Sequence, residues 1–353
     1  MIKSNNKANK LNHENAPWRI TLDTNPDDCN LNCVMCEEHS PYSPSHQARI
    51  KGEKPYRRME IETIEKIFIE CAANGLREII PSTMGEPLIF KHMERIIELC
   101  HEHDVKLNLT TNGTFPRLGA EKWAELIVPV GSDVKLSWNG ATPTAQSLVM
   151  INNDFDRNMD DLRTFIRVRD EHAALGGNYC SVTLQMTFME MNLKQVPEVV
   201  KLAIKEGVDR LKGHHLWAHF SEIKSQDMRR NVDAIMRWNT IARECIEIAE
   251  NKKLPNGKSI ILANIYELDP EHRGELHPAA TCTFLGQEAW VNHEGRFDPC
   301  CAPDELRKTL GSFGNVKDDG LLAIWKSEEY SQLIENYLEN DVCRQCNMRQ
   351  VPQ

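Results

Sequence analysis

The chain has 353 residues, of which 41% are hydrophobic and 27% are charged, and its net charge is −10. This balance is typical of a globular protein with a substantial core. Because the charge is negative and Lys and Arg are not densely clustered, nucleic acid and anionic membrane surfaces are disfavoured as the main partner, and a small or neutral substrate fits better.

Residues 1–16 are polar and lack the apolar stretch of a secretion signal, and no run of about 18 apolar residues occurs that could span a membrane. We therefore expect a disordered N-terminal tail, a cytoplasmic location and no membrane partner. The chain contains twelve cysteines. In a large cytoplasmic protein, clustered cysteines bind metal more often than they form disulfides.

Short apolar or β-branched runs alternate with longer segments of helical period from Trp18 to about Trp217. The strand candidates are WRITLDTN, REIIPST, KLNLTTN, DVKLSWN, SVTLQMTF and DRLKGHHLW, and the helix candidates include MEIETIEKIFIECAANG and FKHMERIIELCHEH. Six β/α units in series predict an α/β fold, with a parallel sheet that is open or curled into a partial (β/α)6 barrel of the TIM type.

The rest of the chain divides into three further segments. A long amphipathic helix is predicted from Met228 and ends the core domain, residues 17–250. Residues 251–280 are predicted to be a connector. Residues 281–353 are predicted to form a small C-terminal domain, which holds five more cysteines.

Three cysteines follow the first predicted strand directly, in the stretch CNLNCVMC: Cys29, Cys33 and Cys36. Ligands of α/β folds bind at the carboxyl ends of the strands, so this loop is well placed for a functional site. A zinc site would need a fourth ligand, for which only His39 is near in sequence, and a ferredoxin motif would use four cysteines. Three thiolates on a [4Fe-4S] cluster would leave one iron open to another molecule.

This CxxxCxxC loop after the first strand resembles the radical S-adenosylmethionine (SAM) superfamily. The resemblance implies that the open iron of the cluster binds the amino and carboxylate groups of SAM. A flavodoxin- or ferredoxin-type reductant would then allow cleavage of SAM to a 5'-deoxyadenosyl radical, which abstracts hydrogen from a substrate. A zinc or other structural site is the alternative interpretation of the three cysteines.

The resemblance also implies residues that bind SAM. The MGEP segment at positions 84–87 is similar to the Gly-Gly-Glu motif that holds the SAM amino group, with Met in place of the first glycine, which implicates Gly85 and Glu86. Taken alone, the segment is a turn signal. Ser137 resembles the polar residue that contacts the ribose, although it could be an ordinary strand-end serine. Met35 stands where an aromatic residue usually lies near the adenine.

The C-terminal cysteines form a second pattern. The segments EAWVN and RFDPC predict a β-hairpin with its turn at 292–295, and the segment LLAIWKSEEYSQLIENYLE predicts a helix that leads to a CxxC pair. The spacing Cys-x12-Gly-x4-Cys and the final CxxC resemble the SPASM extension of radical SAM enzymes, in its shortened form called twitch. The resemblance implies an auxiliary [4Fe-4S] cluster whose ligands are Cys282, Cys300, Cys343 and Cys346. A four-cysteine zinc site is the alternative.

Three residues are candidates for catalytic roles. Alternation along the sixth predicted strand points His214 and His215 to opposite faces, so at least one of them should face the cavity, where an imidazole could accept a proton. Both could instead form hydrogen bonds at the domain junction. Cys301 is a candidate donor of a hydrogen atom to a substrate radical, or simply a thiol beside a cluster ligand. Arg57 and Arg58 could meet an acidic substrate, but they are predicted to be a solvated charge pair.

We therefore expect a radical SAM enzyme of the twitch type that acts on a small polar metabolite by dehydrogenation or epimerisation. Modification of a ribosomal peptide is one alternative. It is weakened because only a short polar tail precedes the first strand, where many such enzymes carry a peptide-binding domain. A non-catalytic metal-binding or electron-carrying protein is the other alternative.

Overall fold

A computed structural model of the chain describes residues 15–271, 280–346 and 348–350. The expected N-terminal tail, residues 1–16, lies almost wholly outside these ranges. Within them, no helix is long and apolar enough to cross a membrane.

The described residues form one sheet of nine strands in the order β7-β6-β5-β4-β3-β2-β1-β8-β9. The first eight of these pair in parallel and β9 is antiparallel to β8. The expected α/β fold with an open, partial barrel is confirmed. The strands are β1 Arg19–Leu22, β2 Glu78–Ile80, β3 Lys106–Thr111, β4 Gly131–Ser137, β5 Ser181–Phe188, β6 Arg210–His215, β7 Ile261–Ala263, β8 Glu288–Val291 and β9 Phe297–Asp298.

Helices connect the strands and cover one face of the sheet. Several begin at side chains that accept a backbone N–H bond, such as Asp154, Asn231 and Ser327. The helices are α1 Pro44–Ile50, α2 Ile61–Cys71, α3 Met93–Glu102, α4 Ala120–Ile127, α5 Pro143–Val149, α6 Phe155–Ala174, α7 Val196–Glu206, α8 Val232–Asn251, α9 Asp304–Arg307, α10 Leu321–Trp325, α11 Glu328–Asn336 and α12 Asp341–Arg344.

The two faces of the sheet differ in chemistry. The face under the helices is apolar and completely buried, as at Ile20, Ile79 and Val134. The opposite face lines the inside of the curved sheet and carries charged residues such as Arg19 and Glu78, which form an ion pair. The core therefore lies between sheet and helices, and the inside of the partial barrel is polar.

The predicted C-terminal hairpin is present, but the sequence did not show where it attaches. Strand β8 lies beside β1 in parallel, with Arg19 opposite Glu288 and Leu22 opposite Val291, so the hairpin extends the sheet of the core. A further short strand, β7, pairs with β6 and lies in the segment 251–280 that was predicted as a connector. Pairing between segments so distant in sequence leaves no local pattern that could be recognised beforehand.

A contact between α2 and α10 also joins the two parts of the chain. The carboxylate of Glu70, near the end of α2, accepts hydrogen bonds from the backbone N–H groups of Leu321 at 2.8 Å and Leu322 at 3.5 Å. These are among the N–H groups that have no partner within their own helix. Glu70 thus acts as an N-terminal cap supplied from another helix.

We expect Glu70→Ala to lower the free energy of unfolding by about 1 kcal/mol, because the first turn of α10 loses its acceptor. Denaturant unfolding would measure this loss. Glu62→Ala, at an exposed position in the first turn of the same helix, is the matched control and should change stability less. Equal losses in the two variants would show that the cap contributes nothing specific.

Candidate active site

The three-cysteine loop begins beyond the carboxyl end of β1 and is held by backbone hydrogen bonds. Within the loop, the N–H of Cys36 donates to the carbonyl of Cys33 at 3.0 Å. The N–H of Val34 donates to the carbonyl of Val149 at 2.9 Å, and the N–H of Asn32 to that of Ile151 at 3.1 Å. The loop is therefore fixed against the end of α5 and the residues that follow it.

The three sulfur atoms lie in a shared, desolvated environment. Burial raises the pKa of the Cys29 thiol to about 12, with a further contribution from Cys36. Burial also raises the pKa of Cys33, and both other thiols add to this increase. The Cys29 sulfur accepts hydrogen bonds from the N–H of Leu31 at 3.5 Å and from Nδ2 of Asn112 at 3.8 Å.

Such thiols remain protonated unless a positively charged centre is bound beside them, which deprotonates them. In the ranges that the structure describes, no three His, Cys, Asp or Glu side chains are grouped so that they could hold a single metal ion. Three converging thiols are suited to an iron–sulfur cluster. Cys29, Cys33 and Cys36 therefore fit the cluster that the motif implied.

A buried ion network, which the sequence analysis missed, fixes both ends of the loop. The Asp27 carboxylate accepts a hydrogen bond from Arg57 at 2.7 Å and lies 2.9 Å from Arg49. The Glu38 carboxylate also contacts both arginines, Arg57 at 2.7 Å and Arg49 at 2.9 Å. Burial would raise the pKa of Asp27, but the hydrogen bonds and charge of Arg57 hold it below its ordinary value. Arg57 is therefore part of the site's framework, and the prediction that it is a solvated charge is wrong.

Gly85 lies against the chain that leads into the cysteine loop. Its φ is +76°, and a Cβ at this position would be 2.3 Å from the carbonyl oxygen of Asn25 and 2.8 Å from that of Asp28. The next residue, Glu86, donates its N–H to the Asp28 carbonyl at 2.7 Å. Both the backbone conformation and the close approach therefore require glycine.

The Glu86 carboxylate is completely buried and is occupied by protein contacts. It accepts hydrogen bonds from the N–H of Asn112 at 2.7 Å, the hydroxyl of Thr111 at 2.8 Å and the N–H of Leu88 at 3.0 Å. Burial raises its pKa to about 7. Glu86 therefore ties the end of β2 to the end of β3, and its contact with SAM stays a prediction.

The remaining residues implied to bind SAM also lie at the carboxyl ends of the strands. Ser137 is the last residue of β4 and is partly exposed. Met35 is partly buried and packs against a small apolar cluster that includes Val34, Val149 and Leu216. Their contacts with ribose and adenine stay predictions.

The four C-terminal cysteines come together although they are far apart in sequence. Burial raises the pKa of Cys343, on α12, to about 12, and Cys300, Cys282 and Cys346 all contribute. Burial raises the pKa of Cys300, just beyond β9, to about 11, with contributions from Cys282 and Cys346. The Cys282 sulfur accepts from the N–H of Leu285 at 3.4 Å. Four converging thiols fit the auxiliary cluster.

Cys301 lies beside these four cysteines and is exposed. Desolvation by the neighbouring chain nevertheless raises the pKa of its thiol to about 12, with contributions from Cys300 and Cys346. The thiol is thus accessible, as a hydrogen-atom donor must be. That role for Cys301 stays a prediction.

The two candidate histidines point to opposite faces of β6, as alternation predicted. His215 packs against Phe188 and Trp238 of α8, with ring centroids 5.5 and 4.6 Å away, and burial lowers its pKa to about 3. His214 faces the inside of the sheet, with its Nε2 atom 3.2 Å from the hydroxyl of Thr187. This packing does not favour a catalytic role for His215 and leaves His214 as the candidate base.

We expect Gly85→Ala to lower the free energy of unfolding by about 2 kcal/mol or more, because the methyl group meets two carbonyl oxygens of the cysteine loop. Iron bound after anaerobic reconstitution should fall as well. Gly52→Ala is the matched control, since Gly52 has a φ of +73° but no atom within 4 Å of an added Cβ. If both variants lost the same stability and kept their iron, the close approach at Gly85 would have no consequence.

The buried Glu86 should also make stability depend on pH. Its folded pKa of about 7 lies above its ordinary value of 4.5, so the folded state binds the proton more tightly and stability falls as pH rises through this window. We expect Glu86→Gln to remove this fall, so that the variant gains about 2.5 kcal/mol relative to the wild type between pH 5 and pH 8.

Denaturant unfolding of both proteins at the two pH values would measure this difference. Glu53→Gln, at an exposed position, controls for the loss of one negative charge. If the free energies of unfolding of Glu86→Gln and the wild type differed by the same amount at both pH values, the raised pKa of Glu86 would be contradicted.

Comparisons with known proteins agree with this arrangement. The family model of the radical SAM superfamily matches residues 26–203, and that of the SPASM iron–sulfur cluster-binding domain matches residues 282–347. A tungsten-containing aldehyde ferredoxin oxidoreductase cofactor-modifying protein of Pyrococcus furiosus is 24% identical over 341 residues, which cover 91% of this chain and 85% of that protein. The PqqA peptide cyclase of Methylobacterium nodulans is 23% identical over 330 residues, with 91% and 76% covered.

Solved structures show the same fold. SuiB of Streptococcus suis, determined with bound S-adenosylmethionine, superposes with a TM-score of 0.65 at 15% sequence identity and covers 96% of this chain and 74% of its own. SuiB has also been determined with its precursor peptide SuiA. The family match covers about half of this chain, includes Cys29, Cys33 and Cys36, and identifies [4Fe-4S] clusters and SAM as the cofactors. The chain belongs to the radical SAM superfamily and carries a C-terminal SPASM iron–sulfur domain.

Proposed function

We propose that this radical SAM enzyme modifies a peptide or protein substrate by abstracting a hydrogen atom from one of its residues. The observation that carries the proposal is the similarity, over 91% of the chain, to a peptide cyclase. The fold shared with SuiB, which binds a precursor peptide, is compatible with it. These comparisons favour the peptide alternative over the small polar metabolite that the sequence analysis preferred.

Exposed aromatic residues in the segments after the cysteine loop and after β6 support a peptide substrate. Trp217 is 58% exposed and Tyr42 is 42% exposed, and the Tyr42 ring lies 6.2 Å from that of Phe220. Tyr42 lies in the segment after the cysteine loop, and the other two follow β6. Aromatic side chains of this kind are enriched where proteins bind other polypeptides.

The residues of the chain would divide the chemistry between them. Cys29, Cys33 and Cys36 would hold the cluster that, with SAM, supplies a 5'-deoxyadenosyl radical. His214 would accept a proton from the substrate, because desolvation and the charge of Lys212 lower its pKa and so favour the neutral imidazole. Cys301 would donate a hydrogen atom where the reaction returns one to the substrate.

The auxiliary cysteines would serve reactions that remove electrons from the substrate. Four protein ligands leave no open iron, which suits electron transfer better than substrate binding. The enzyme would work in the cytoplasm with a flavodoxin- or ferredoxin-type reductant. The polar inner face of the sheet keeps a small polar metabolite as the second candidate substrate.

Deuterium transfer distinguishes the two candidates. We would supply the anaerobically reconstituted enzyme, SAM and a reductant with a deuterated cell extract, divided into a peptide fraction and a low-molecular-mass fraction. Because the abstracted atom ends in 5'-deoxyadenosine, mass spectrometry of this product reports which fraction holds the substrate. We expect deuterium from the peptide fraction.

Cys29→Ala/Cys33→Ala/Cys36→Ala is the control, and it should form no 5'-deoxyadenosine while keeping the iron of the auxiliary cluster. Deuterium in 5'-deoxyadenosine from the low-molecular-mass fraction alone would refute the peptide proposal and favour a small polar metabolite as the substrate.

A further inference from the structure

Charged residues on the inner face of the sheet are paired in all but one case. Arg19, on β1, joins its two neighbouring strands, with Nε 2.5 Å from Glu78 on β2 and Nη1 3.1 Å from Glu288 on β8. Asn108 adds a hydrogen bond to Glu78 at 3.0 Å. The charge of Arg19 is thus balanced by two carboxylates.

A second group of charges lies on β4, β5 and β6. Asp133 accepts from the hydroxyl of Thr183 at 2.8 Å and from Arg210 at 3.1 Å, and Lys135 lies 3.6 Å from it. Lys135 also donates to the side-chain oxygen of Asn108. Both cations therefore have a protein partner.

Lys212 differs from these cations. It lies on the inner face of β6, two residues from both Arg210 and His214, and within the described part of the chain its ammonium has neither a hydrogen-bond acceptor nor an ion-pair partner. Burial lowers the pKa of Lys212, partly opposed by Asp133, which is the response of a charge that is short of contacts.

An unpaired ammonium that is partly withdrawn from water is a favourable binding group for an anion. The neighbouring strands present polar rather than apolar side chains at the same level, since Lys212 is in register with Gln185 and Gln185 with Ser137. His214 lies two residues closer to the carboxyl ends of the strands and is in register with Thr187. An acidic group that reached Lys212 would therefore pass the candidate base.

We propose that Lys212 binds a carboxylate of the substrate, so that the enzyme selects a peptide with an acidic side chain at or next to the modified residue. The choice of a peptide rests on the proposed function, whereas the choice of an anion rests on the charges inside the sheet. Lys212 is then a specificity-determining residue.

The carboxylate of SAM is the other source of the same chemistry. The residues expected to hold the amino-acid part of SAM, from Cys29 to Cys36 and at Gly85, lie in loops beyond β1 and β2. Lys212 lies within β6, three residues before its end, and therefore deeper in the sheet than these loops. This separation favours the substrate.

Equilibrium dialysis with a small acidic probe tests the proposal. The reconstituted protein with SAM would be dialysed against radiolabelled N-acetylglutamate or, as the neutral match, N-acetylglutamine. We expect the wild type to prefer the acid, and Lys212→Met to bind it about tenfold more weakly or worse, because one charge-assisted hydrogen bond is lost. Lys212→Arg should retain most of the binding, and so should Lys91→Met, which removes an exposed positive charge.

Each contrary result has a distinct meaning. Equal binding of the two probes by the wild type, or unchanged binding of the acid by Lys212→Met, would overturn the proposal. The affinity for SAM is measured in the same preparations. A tenfold loss of affinity for SAM in Lys212→Met, with the acid still bound, would assign Lys212 to SAM and also overturn the proposal.

The dialysis needs no turnover, so its result does not depend on the proposed function. If deuterium came only from small metabolites while Lys212→Met lost the probe, the anion site would stand and the peptide function would fall.

Discussion

The position of β1 between β2 and β8 is the constraint on which the rest of the structure depends. Its parallel pairing with both strands places the cysteine loop and the C-terminal hairpin beside each other in one sheet. Arg19 reinforces this arrangement, because it bridges carboxylates on the two flanking strands. The two cysteine sets are therefore held by one continuous hydrogen-bonded framework rather than by a flexible link between domains.

The cysteine loop is stabilised by polar groups that are themselves buried. Asp27 is 1% exposed, and two arginines compensate its charge, while the Glu86 carboxylate has three hydrogen-bond donors. Removing one partner from such a group leaves a charge without compensation, which costs more than the loss of an exposed pair. These buried contacts stabilise the loop that carries the three neighbouring thiols.

The inside of the sheet is lined by charged side chains rather than by a packed apolar core. In a closed (β/α)8 barrel, branched apolar side chains fill the interior in layers. Here the same positions carry Arg19, Asp133 and Lys212, and the apolar residues lie on the opposite face, under the helices. An open sheet with a charged lining leaves its inner face accessible to polar molecules, at the price of the stability that an apolar interior would contribute.

The sequence by itself determined the local features. The period of the apolar residues predicted six strands and their helices. The motif of Cys29, Cys33 and Cys36 predicted the first cluster, because all three ligands lie in one loop of eight residues. The alternation of β6 correctly separated His214 from His215. The turn before Gly295 likewise predicted the hairpin.

Only the tertiary structure decided which distant groups meet. The pairing of β8 with β1, the Arg57 contact with Asp27 and the Glu70 cap on α10 join residues 30 to 270 positions apart. Whether Lys212 has a partner also depends on side chains from several strands. No local pattern encodes such contacts, since strand register and charge compensation arise only when the whole sheet assembles.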